Sequence, residues 1–220
     1  MSKLLLHLTR PPTNPAPNTK PSLLILLHGY GSNEADLFSF ASLLNEKFIV
    51  LSPRAPRNLM PNAYAWFDLG FQPDGSLTHA SEQVLAARDQ LIAFVRESII
   101  AYKADPTRVY LLGFSQGAMM SALVALTEPN LVAGAVMMSG LIPDEVKSLI
   151  APPHQLDALR LFVGHGTQDE VVPIAQGRAA HALLTAHHIS HEYREYPIGH
   201  HFSDDSLDDI LGWLDEKLGG

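Results

Sequence analysis

The pentapeptide Gly113-Phe114-Ser115-Gln116-Gly117 sets a serine between two glycines. That spacing suits a nucleophile on a strained strand-to-helix bend, where larger flanking side chains would collide. A chain with 15 glycines can supply a G-x-S-x-G by chance, so the surroundings decide. Arg108-Val109-Tyr110-Leu111-Leu112 ahead of it is strand-like, and Ala118-Met119-Met120-Ser121-Ala122-Leu123 behind it is helix-like. A serine hydroxyl is a weak nucleophile until a base takes its proton and an acid orients that base. Asp169 and His200 follow Ser115 in the order Ser, Asp, His, each just past a strand-like run. The chemistry implied is acyl transfer through a covalent acyl-serine.

Both partners have rivals. Glu170 adjoins Asp169 and could be the acid, but its longer side chain and the following Val171-Val172-Pro173 favour Asp169. The chain has eleven histidines, so a lone one means little. His165 precedes Asp169 and breaks the order. His187, His188 and His191 flank a helix end and a strand start, where capping or solvated roles are common. His201 is the serious competitor; His200 is preferred because Gly199 suits a tight turn that presents the next side chain. The His200-His201 pair lacks the helical His-x-x-x-His or thiolate company of a metal site.

Acyl transfer also needs donors aimed at the developing oxyanion. One is the backbone N–H after the nucleophile, here Gln116. The apolar run Leu23–Leu27 followed by His28-Gly29-Tyr30-Gly31-Ser32-Asn33 fits the loop that carries the other, with Tyr30 N–H as the donor. This loop lacks the Gly-Lys-Ser/Thr ending of a phosphate-binding loop. His28 reads as a structural hydrogen-bonding residue at the strand end.

These residues need a scaffold that brings them to one place. Leu23–Leu27, Phe48–Leu51, Val109–Gly113, Val132–Met138 and Leu161–Val163 are near-continuous apolar runs, as in parallel strands covered on both faces. Ser190–Tyr196 alternates more and is expected nearer an edge. Lys3–Thr9 is expected as a short first strand, joined to the body by a proline-rich link from Pro11 to Pro21. Helices are expected over Ser81–Tyr102, Ala118–Leu126, Pro173–His187 (with Pro173 at its first position) and Asp205–Leu218. Alternating strands and helices predict an α/β class: an open, mostly parallel sheet with helices on both faces and reactive loops at the strands' carboxyl ends.

At 220 residues the chain suits one domain spanning 1–220. A formal charge of −8 and the lack of any Lys/Arg cluster argue against nucleic acid as a partner. The absence of cysteine excludes disulfides and a thiol nucleophile. No stretch approaches the roughly 18 apolar residues of a membrane span, so a cytoplasmic protein without integral membrane association is expected. A homodimer is left open.

Leu27-His28-Gly29-Tyr30-Gly31-Ser32-Asn33, Ala65-Trp66-Phe67-Asp68, Gly113-Phe114-Ser115-Gln116-Gly117-Ala118, Gly164-His165-Gly166-Thr167-Gln168-Asp169-Glu170-Val171-Val172-Pro173 and Gly199-His200 together resemble the phospholipase/carboxylesterase family, across about Leu23 to Leu218. The resemblance implies an α/β-hydrolase fold without a large cap domain and without metal or organic cofactor. It also implies Ser115, Asp169 and His200 as the triad, with Tyr30 and Gln116 forming the oxyanion hole. Trp66 and Val172 then either line a substrate pocket or simply pack. Tyr30 stands where the family's thioesterases often have leucine, and His201 where a small or acidic residue is common. The function expected is carboxylesterase activity on a small-molecule ester of short to medium acyl length. Lysophospholipase or acyl-protein thioesterase activity is the alternative, and a non-catalytic hydrolase-fold binding protein a more distant one.

Overall fold

A computed structural model describes residues 4–13, 19–71 and 77–219. The expected start of the first strand at Lys3, and the middle of the proline-rich link, lie outside the described residues. In chain order the elements begin with β1 (His7–Arg10), β2 (Ser22–Leu27), β3 (Phe48–Pro53), β4 (Arg57–Met60) and β5 (Ala63–Ala65). There follow β6 (Gly70–Phe71), β7 (Leu77–Thr78), α1 (Ser81–Ala101), β8 (Val109–Phe114), α2 (Gln116–Thr127) and β9 (Gly134–Met138). The last are α3 (Asp144–Leu149), α4 (Pro153–Leu156), β10 (Arg160–Gly166), α5 (Ile174–Ala186), β11 (His191–Tyr196) and α6 (Asp204–Gly219).

Seven strands form one sheet in the order β1-β3-β2-β8-β9-β10-β11. All neighbours are parallel except β1, which pairs antiparallel with β3. Side chains alternate across a strand, so an unbroken apolar run feeds two cores at once. In β2 all six residues are buried. Leu23, Ile25 and Leu27 join a core with Val84, Leu91 and Val95 of α1, with α2, which is buried from Gln116 to Leu126, and with Ala180 and Leu184 of α5. Leu24 and Leu26 face the opposite core, closed by Ile210, Trp213 and Leu214 of α6 and by Leu37 of a 3-10 turn at Leu37–Phe40. Helices therefore lie on both faces, as expected. Among the described residues no inserted subdomain stands over the carboxyl edge; α3 and α4 are the extra helices between β9 and β10. No described helix is long and apolar enough to cross a membrane.

Several boundaries differ from expectation for physical reasons. β10 runs on to Gly166 because Gly164, His165 and Gly166 keep pairing with Arg194, Glu195 and Tyr196, although two glycines carry no hydrophobic signal. β11 is the edge strand, as its polar alternation implied. α2 starts at Gln116, directly on the serine, and Pro173 is the N-cap of α5 rather than its first helical residue. The antiparallel β4–β5 hairpin has no alternating pattern in the sequence; β4 is mostly exposed, whereas β5 is half-buried and ends on the buried Ala65.

Candidate active site

Ser115 is the N-cap of α2, with φ 53° and ψ −116°. A non-glycine residue there is sterically strained, and the strain turns the side chain out of the bend between β8 and α2. The neighbouring glycines make the bend feasible. A Cβ on Gly113 would fall on the Gly117 carbonyl, and one on Gly117 would fall on the Leu27 carbonyl at the end of β2.

The loops after β8, β10 and β11 bring together the three residues expected as a triad. The His200 Nε2 is 2.9 Å from Ser115 Oγ, and its Nδ1 is 2.7 Å from Asp169 Oδ2. A carboxylate at Nδ1 places the ring hydrogen there and leaves Nε2 to accept the serine proton. The Asp169 side chain is fully buried, which is tolerable only because its charge is met by donors. Its Oδ1 accepts the backbone N–H groups of Val171 (2.9 Å) and Val172 (2.8 Å). Glu170, next to it, is exposed. The exposed His201 makes neither of the two bonds that His200 makes. Phe114, unweighed in the sequence, packs its ring 4.9 Å from that of His200 and 5.1 Å from that of Phe202. Its only signal was its place as the variable residue before the serine.

The loop after β2 lies against the same serine: a Cβ on Gly29 would sit 3.4 Å from Ser115 Cβ. As the first residue of α2, Gln116 has a backbone N–H outside the helical ladder. Among the described residues neither it nor the Tyr30 N–H donates to another protein group. The loop is braced from several sides. Gly31 N–H donates to Tyr64 O (2.9 Å) and Tyr64 N–H to Ser32 O (2.8 Å), so the β4–β5 hairpin anchors it. Arg54 forks onto Glu34 and stacks 4.4 Å over the Tyr64 ring. The guanidinium hydrogen bonds hold the Glu34 carboxyl below its usual pKa.

His28 is fully buried, with Nδ1 2.8 Å from Gly29 O and Nε2 accepting Ala55 N–H at 3.1 Å. Burial pushes its pKa down. Trp66 donates its indole N–H to His28 O (3.0 Å), and its ring lies 5.7 Å from the imidazole. The Gln116 amide accepts Trp66 N–H (2.9 Å) and donates to Phe67 O (2.7 Å). Trp66 thus sits beneath the loop and is not among the residues lining the cleft beside Ser115. Val172 does line the cleft, beside Ser115 and His200.

That cleft has a volume of about 210 Å³. Leu69, Met119, Val171 and Val172 make its wall largely apolar, and Ser32 and Asp36 add a polar side. The Asp36 carboxylate accepts the Ser32 hydroxyl at 2.6 Å. Leu69, Met119 and Asp36 were not singled out from the sequence, since only tertiary placement turns them toward Ser115. Among the described residues no three His, Asp or Glu side chains are grouped to share a metal ion. The arrangement can therefore relay a proton from a hydroxyl to an imidazole, with two free N–H groups nearby and an apolar hollow beside them.

Residues 13–218 match the phospholipase/carboxylesterase family. Carboxylesterase SOBER1 of Arabidopsis thaliana is 27% identical over 212 residues, covering 90% of this chain and 92% of that protein. Acyl-protein thioesterase 1 of Mycosarcoma maydis is 25% identical over 230 residues, covering 93% of this chain and 95% of its own length. Among solved structures, esterase PE8 superposes with a TM-score of 0.82 at 26% identity, covering 97% of this chain and 99% of its own. With the family matched over nearly its whole length and its fold shared with solved esterases, the chain belongs to the phospholipase/carboxylesterase family of α/β-hydrolases.

Proposed function

We propose that this hydrolase is a serine carboxylesterase acting on short- to medium-chain carboxylic esters. The observation that carries the reading is the unbroken contact from Ser115 Oγ through His200 to the buried Asp169. In the proposed reaction Ser115 Oγ attacks the ester carbonyl while His200 Nε2 takes its proton. The tetrahedral oxyanion is met by the N–H groups of Tyr30 and Gln116. His200 then protonates the departing alcohol, leaving an acyl group on Ser115. Water, deprotonated by His200, attacks that ester; collapse expels the acid and returns the proton to Ser115. Asp169 holds Nδ1–H throughout and stabilises the imidazolium.

The proposed acyl length is supported by the cleft, whose volume of about 210 Å³ lies below the roughly 300–1,000 Å³ usual for drug-sized ligands. Tyr30 and Val171 are exposed apolar side chains at the rim, and they favour the second reading, a lysophospholipase or acyl-thioesterase with a longer chain laid across them. A ladder of p-nitrophenyl esters from acetyl to palmitoyl separates the two: kcat/KM falls steeply beyond medium chains on the first reading and rises on the second. Ser115→Ala lowers kcat by on the order of 10⁶-fold and abolishes labelling by a fluorophosphonate probe, with the thermal midpoint retained. Substantial esterase activity in that variant would overturn the nucleophile assignment; absence of labelling in the wild type would favour a binding protein.

A further inference from the structure

Two fully buried histidines, His28 and His165, take no part in the proposed relay, and the second lies against its acid. His165, the penultimate residue of β10, lies beneath the Asp169 turn. Its Nε2 is 2.7 Å from Val172 O. A carbonyl only accepts, so Nε2 carries the hydrogen. Nδ1 has no hydrogen-bond partner. It faces α5 at Gly177, where an added Cβ would come within 2.7 Å of it.

We propose that His165 is a positioning residue for the acid of the relay, holding Asp169 through the backbone on either side of the Val172 Cα. The proposal rests on Asp169 being that acid. Val172 is tied at both ends: its N–H donates to Asp169 Oδ1, and its C=O accepts from His165. The two groups belong to adjoining peptide planes that share the Val172 Cα, so the imidazole, by anchoring the plane of the C=O, limits how far the N–H can swing from the carboxylate. The same Nε2 lies 3.7 Å from Asp169 Oδ2, the oxygen that faces His200, which is too far for a hydrogen bond. An apolar side chain of this size would fill the space without orphaning a nitrogen. What the imidazole adds is a donor at the reach of Nε2.

Three variants separate this role from space filling. His165→Leu keeps bulk and removes the donor. His165→Gln places an amide N–H near the Nε2 position, and His165→Asn carries one that stops short. Measured on a short-chain p-nitrophenyl ester, His165→Leu and His165→Asn should lose about 10–100-fold in kcat, the scale of a small misplacement at a reacting group. KM should stay within about twofold, while His165→Gln recovers to within about threefold of wild type. A folded His165→Leu variant with wild-type kcat overturns the proposal. If His165→Leu does not fold, equal kcat in the Gln and Asn variants overturns it. Asp169→Asn runs alongside: full activity there would mean that the acid assignment had failed, whereas an inactive Asp169→Asn with an indifferent His165 series condemns the positioning role alone.

Discussion

A histidine's role is set by what its two nitrogens touch, and three buried or half-buried histidines here differ in that respect. His200 faces a carboxylate and a hydroxyl. His165 reaches a carbonyl through Nε2. His28 reaches a carbonyl through Nδ1 and accepts a backbone N–H at Nε2. Protonating His28 would destroy that second bond and bury a charge. Its folded pKa is accordingly below the ordinary 6.5, with burial as the largest cause. As pH falls below about 6.5, the unfolded chain takes up a proton that the folded chain resists, so stability is full above that pH and is lost below it. The thermal midpoint should therefore decline between pH 7 and pH 5, and His28→Gln should flatten that decline while lowering the midpoint at pH 7. An identical slope in the variant would show that other groups govern acid sensitivity.

At the scale of elements, the site depends on how closely α2 crosses the end of β2. Gly117 sets that distance, because a Cβ would occupy the position of the Leu27 carbonyl. Gly117→Ala should cost about 1–3 kcal/mol or more, read as a lower midpoint in urea unfolding with little change in slope. An unchanged midpoint would mean that the helix can withdraw freely. Other parts of this junction were legible in the sequence. The apolar runs marked β2, β3 and β8, and the order of Ser115, Asp169 and His200 located the loops. What escaped was structure without periodic signal. The Gly164–Gly166 end of β10 is strand by pairing alone, and the β4–β5 hairpin matters through Tyr64 backbone bonds that any residue type but proline could make. Leu69 and Met119 resembled ordinary core residues until the fold turned them toward the cleft.

For the molecule as a whole, the formal charge of −8 and the cleft face together choose among substrates that the relay would treat alike. Asp36 puts a carboxylate on the cleft wall, so an anionic ester meets the same sign of charge at long range and on arrival. The long-range part is screened, since the Debye length falls from about 30 Å at 0.01 M salt to about 8 Å at 0.15 M. A neutral acetate ester and its hemisuccinate counterpart, sharing one leaving group, isolate this effect. In low salt kcat/KM for the anionic ester should lie roughly tenfold below the neutral one, narrowing to about two- to threefold at 0.15 M, while the neutral ester barely responds. Asp36→Asn should shrink the gap that survives in salt, because it removes the charge inside the cleft and leaves an amide able to accept the Ser32 hydroxyl. A gap indifferent to salt, and to this substitution, would place the discrimination in the shape of the apolar wall.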